Sequence, residues 1–101
     1  ALPICKYYII CLKHTNRKDT YLTLWRPDNA GYCWFQNNAG VYDGYEKGYH
    51  DSCNSIPVLK EELDKLFTEI EYDGKMVKAV LNTPENRKVL GIRVTKLGKN
   101  E

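Results

Sequence analysis

The apolar positions of this chain change period several times, and each change marks an element. Residues 6–13 (KYYIICLK) form a continuous β-forming run, with Tyr7, Ile9 and Cys11 on one face and Tyr8, Ile10 and Leu12 on the other. That pattern predicts a central strand buried on both sides. Residues 14–20 (HTNRKDT) are polar and basic, and residues 21–25 (YLTLW) resume extended character, so the two runs predict a hairpin. Residues 26–31 (RPDNAG) place Pro27 before Asp28 and Asn29, a turn signature. A third short strand is expected at residues 32–35 (YCWF), followed by a turn at residues 37–40 (NNAG).

Residues 43–54 have no periodicity and are rich in Gly, Tyr and Asp, which predicts an exposed loop. Helical period then sets in. Over residues 58–70, Leu59, Leu63, Leu66, Phe67 and Ile70 form one apolar stripe opposite Lys60, Glu61, Glu62, Asp64, Lys65 and Glu69, predicting the main helix. Residues 72–75 (YDGK) read as a turn, and residues 76–81 as a strand with Val77, Ala79 and Leu81 on one face. Thr83, Pro84 and Gly91 supply cap, start and stop for a short helix, and residues 92–97 (IRVTKL) alternate as a closing strand. The order β-β-β-α-β-(short α)-β predicts an α+β fold: a mostly antiparallel sheet packed on one main helix. Residues 1–101 read as a single domain, with no role assigned to residues 1–5 and a fraying tail at 98–101.

Charge refines this picture. The 101 residues carry a net charge of only +2, which argues against general nucleic-acid binding. Four basic residues face one acidic in residues 1–20, and six face two in 76–101, against five and ten between. A sheet that brings the two ends together would make one basic face, although solvated charge is the plainer reading. Cys5, Cys11, Cys33 and Cys53 show no paired spacing and are expected to be free thiols in a reducing cytoplasm. No apolar run is long enough for a membrane helix.

Catalytic and metal sites find little support. His50 and Cys53 form an H-x-x-C that His14 or Cys33 would have to complete as a zinc set, without the usual paired ligands. The same His50 and Cys53 are the one local base and thiol pairing, with nothing to orient them, and both histidines read as surface residues. The expectation is no metal, no cofactor and no catalytic residue; a small cysteine/histidine-dependent enzyme is a minor alternative. The aromatic stretch differs in kind. Trp25, Tyr32, Trp34, Tyr42, Tyr45 and Tyr49 interleave with Arg26, Asp28 and Asn29, and such groups suit purine stacking and base-edge hydrogen bonding. His14, Arg17 and Lys18 are the candidate phosphate contacts. The same aromatics would equally make a protein-binding hot spot, and Trp25 and Trp34 would equally fill a core.

The segments W-R-P-D-N-A-G-Y (25–32), A-G-V-Y (39–42), I-P-V (56–58) and N-T-P-E-N (82–86) resemble those of a group of small bacteriophage and prophage accessory proteins. The likeness covers most of residues 6–90, and the 44–54 loop departs from it. The resemblance implies a counter-defence protein in the cytoplasm of a host bacterium, acting by sequestration or blockade. Joined to the aromatic stretch, it sets the expectation of a non-enzymatic protein sequestering a nucleotide-derived immune signal. The alternative partner is a host defence protein that it inhibits, in the manner of an anti-CRISPR. A homo-oligomer that builds its pocket between subunits would serve the first role.

Overall fold

The computed structural model describes residues 5–98. The double-sided apolar run forms β1 (Tyr7–Cys11), which pairs antiparallel with β2 (Leu24–Trp25) on one side and β4 (Ser55–Leu59) on the other. β3 (Tyr32–Cys33) completes a sheet of order β3-β2-β1-β4, with β1 in the interior as its pattern predicts. Main-chain pairing between Trp25 and Tyr32, and between Leu24 and Cys33, sets the register of the β2-β3 pair. A second antiparallel pair, β5 (Phe67–Tyr72) and β6 (Lys75–Val80), joins the sheet through bridges from Tyr21 to Leu81 and from Phe35 to Ala79. The fold is α+β with antiparallel sheets, the class the pattern predicts.

The alternation along β1 divides the interior in two. Tyr8, Ile10 and Leu12 join Leu22, Leu24, Cys33, Leu63, Val80, Ile92 and Leu97 in the main core. On the opposite face Ile9, Cys11 and Trp25 form a smaller core flanked by Tyr7 and Tyr42. The 43–54 loop lies against this second face, with Tyr45 edge-on to Tyr7 at 5.0 Å and Tyr49 edge-on to Trp25 at 5.2 Å.

Two expectations are corrected. The helical stripe over residues 58–70 does not form one helix: it divides into the end of β4, a short α1 (Lys60–Asp64) and β5. The cause lies in the following turn. Asp73 (φ 52) and Gly74 (φ 76) are both left-handed, the two-residue geometry that closes a hairpin, and it pairs six residues of β5 with six of β6. Residues 92–97 are likewise not a strand. Ile92 and Leu97 plug the main core around a 3₁₀ turn (Val94–Lys96), and Gly98 pairs with Asn16. By contrast α2 (Pro84–Leu90) forms as its signals predict, capped by the Thr83 hydroxyl on the Asn86 N–H and ended by Gly91 at φ 73.

Asp64 on α1 ties three elements together. It accepts from the Tyr8 hydroxyl at 2.6 Å, from Lys60 Nζ at 2.6 Å and from Gln36 Nε2 at 3.1 Å. Burial by itself raises this carboxyl, but the three donors outweigh it and hold Asp64 below its ordinary 3.8. A folded value below the unfolded one means that the contribution is present above pH 3.8 and is lost as pH falls through the folded value. Asp64→Asn is therefore expected to flatten the acid side of the stability curve, measured as the denaturant midpoint from neutral to acid pH. A variant that keeps the wild-type acid slope would contradict this assignment.

Candidate functional site

The site is built on the turn after β2. Asp28 (φ 60) and Asn29 (φ 58) occupy the left-handed region, which Asp and Asn tolerate better than other side chains. The second motif segment locks this turn. Gly40 donates its N–H to the Trp25 carbonyl at 2.8 Å, and a Cβ on Gly40 would lie 2.8 Å from the Arg26 carbonyl and from the Pro27 nitrogen. Only glycine fits that approach. The Tyr42 hydroxyl donates to the Arg26 carbonyl and accepts from the Asn29 N–H. The W-R-P-D-N and A-G-V-Y segments are thus two halves of one packed unit.

His50 completes the unit from the long loop. The Glu46 N–H donates to its Nδ1 at 2.9 Å, so Nε2 carries the ring proton and donates to Asn29 Oδ1, also at 2.9 Å. The residue is 5% exposed, its ring set among those of Trp25, Tyr42 and Tyr49. The expectation of a solvated surface histidine is corrected, because aromatic rings enclose it and both nitrogens are bonded. His50 is also not paired with Cys53, whose nearest polar partner is Asn54 Oδ1 at 3.7 Å.

Two clefts open beside this unit, and one stacked pair walls both. The His14 and Tyr32 rings stack at 4.1 Å with 26° between planes. The first cleft, about 270 Å³, is lined by this pair together with Cys11, Lys13, Trp25, Asn29 and Tyr49. The second, about 420 Å³, is lined by the same pair with Thr23, Arg26, Trp34, Phe35 and Asn38. Arg26 Nε donates to the Tyr32 carbonyl at 2.9 Å, which fixes the root of its guanidinium group against β3. Burial pushes the Tyr32 and Tyr42 phenols above their ordinary 10.0, so both stay neutral donors near neutral pH. No family model, curated protein or solved structure matches the chain.

The candidate residues therefore separate. Trp25, Asn29, Tyr32 and His14 meet at the first cleft; Arg26, Trp34, Tyr32 and His14 meet at the second. Tyr42 supports the turn from beneath, and Asp28 and Tyr45 are exposed and line neither cleft. Of the three phosphate-contact candidates only His14 reaches these clefts. Arg17 Nη2 approaches the Thr95 carbonyl at 3.4 Å, and Lys18 lines a third cleft with Tyr21, Trp34 and Tyr72. The cation missed from the sequence is Lys13, which directly precedes His14 and lines the first cleft. Trp25, 8% exposed, is chiefly core, yet its indole Nε1 is buried without a hydrogen-bond partner. Among the described residues no three His, Cys, Asp or Glu side chains gather as a metal-ligand group, and no helix is long and apolar enough to cross a membrane.

Proposed function

We propose that this is a non-enzymatic accessory protein of phage type that sequesters a nucleotide-derived small molecule in the host cytoplasm, as a counter-defence factor. The observation that carries the reading is the His14 and Tyr32 stack shared by two clefts, with Arg26 and Trp34 along the larger one. A base lies against flat aromatic walls, and the Arg26 fork pairs with a phosphate or lies on the base. The larger cleft, about 420 Å³, falls within the range of roughly 300–1,000 Å³ typical of small-ligand pockets. Lys13 supplies local positive charge at the first cleft where the net charge of the chain is only +2.

The test is a thermal-shift and calorimetric screen of linear and cyclic nucleotides on wild type, Tyr32→Ala and Arg26→Ala. Stacking is worth about 1–3 kcal/mol per base, so Tyr32→Ala is expected to weaken binding about 5- to 150-fold while the fold persists. A second reading, a protein inhibitor of a host defence complex, is favoured by the exposure of Tyr32, Trp34, Tyr45 and Tyr49, each between 39% and 49%. No response to any nucleotide, together with capture of one specific host protein, would replace the first reading with the second.

A further inference from the structure

The first cleft holds a pairing that the aromatic reading does not use. Cys11 Sγ lies 3.1 Å from His14 Nδ1, within hydrogen-bond reach for a thiol and an imidazole. Both residues are fixed. The Thr15 hydroxyl donates to the Cys11 carbonyl at 2.7 Å, the Thr23 hydroxyl donates to the His14 carbonyl at 3.1 Å, and the Tyr32 ring holds the imidazole plane. Cys33, the other buried cysteine, belongs to the main core, and its thiol is raised by burial; Cys5 and Cys53 are exposed. Cys11 and His14 both line the first cleft. Trp25, more than nine-tenths buried, is part of the same lining and leaves its indole N–H without a partner.

We propose that Cys11 and His14 form a thiol and base pair that makes Cys11 the preferred site of oxidation by a small peroxide. Cys11 is 2% exposed but lines the first cleft, which gives a two-oxygen peroxide its approach and shuts out a bulky acyl donor or a second protein thiol. With His14 in its Nε2–H tautomer, Nδ1 takes the thiol proton. The thiolate attacks one peroxide oxygen, forming the S–O bond as the O–O bond breaks. The departing hydroxide takes the proton back from His14 and leaves as water. Sulfur is oxidised by two electrons to the sulfenic acid and the peroxide is reduced by two. The new oxygen sits on the lining of the first cleft, so the modification changes the shape of that cleft whatever its ligand.

The experiment exposes the folded chain to hydrogen peroxide for timed intervals, denatures it, and counts the remaining thiol at each of the four cysteines by isotope-coded iodoacetamide and peptide mass. Cys11 is expected to be lost faster than Cys5 and Cys53, and this advantage is expected to vanish in urea, where His14 is no longer held beside it. In His14→Phe, which keeps a ring against Tyr32, Cys11 loss is expected to slow on the order of a hundredfold while Cys5 and Cys53 are unchanged. Cys11 reacting no faster than the exposed cysteines in the folded wild type would overturn the proposal without recourse to any variant. So would an unchanged Cys11 rate in a folded His14→Phe.

Discussion

Replacing Leu63 by Ala is expected to cost about 2–5 kcal/mol of stability, whereas the same change at Leu66 costs less. Leu63 is fully buried on α1 among the residues of the main core, and the chain around it, held by Asp64 to Tyr8 of β1, has little freedom to collapse into the space left. Leu66 lies past the helix in the link to β5 and is only half-buried against the same core. A continuous helix over residues 58–70 would put Leu59, Leu63, Leu66, Phe67 and Ile70 on one face and give them comparable costs. The two architectures therefore predict different denaturant profiles for the pair. Equal losses at Leu63 and Leu66, read as shifts of the midpoint at constant slope, would count against the short helix.

That contrast shows what kind of signal the chain carries. The elements announced by local chemistry are legible: the double-sided run of β1, the turn at Pro27 to Asn29, and α2 with Thr83 at one end and Gly91 at the other. Residues 58–70 are not, because an apolar stripe of helical period competes with a hairpin turn that lies outside the stripe. The Asp73-Gly74 pair settles the matter in favour of β5, whose FTEIEY sequence is itself rich in β-formers. The candidate site is partly legible for a similar reason. Its residue types stand out as an aromatic stretch, but which ring faces which cleft depends on the Trp25 and Tyr32 pairing and on a loop without periodicity. His50 stands out in the sequence only beside Cys53, whereas its actual partners Asn29 and Glu46 are set by how that loop returns to the sheet. The Cys11 and His14 contact was hidden differently. A cysteine inside an apolar run reads as core, and that reading is correct for its burial while missing its neighbour.

His50→Ala is the substitution expected to disturb the site most. It leaves the Asn29 Oδ1 and the Glu46 N–H without partners and opens a cavity among Trp25, Tyr42 and Tyr49. Asn29 and Glu46 are exposed residues whose freed groups turn to water, so the cavity dominates and the total loss is expected at about 2–5 kcal/mol. His50→Phe separates the two contributions, because it refills much of the volume and restores neither hydrogen bond; its cost should lie between wild type and Ala. Limited proteolysis gives a local readout, with cleavage inside residues 43–54 expected to accelerate in both variants. The clefts respond differently. Tyr49 belongs to that loop and lines the first cleft, while the second is lined without any residue of it. A ligand seated against Arg26 and Trp34 should therefore keep most of its affinity in His50→Phe, and one seated against Trp25 and Tyr49 should lose it. An unchanged unfolding midpoint and an unchanged cleavage rate in His50→Ala would show that the loop is held by something other than this histidine.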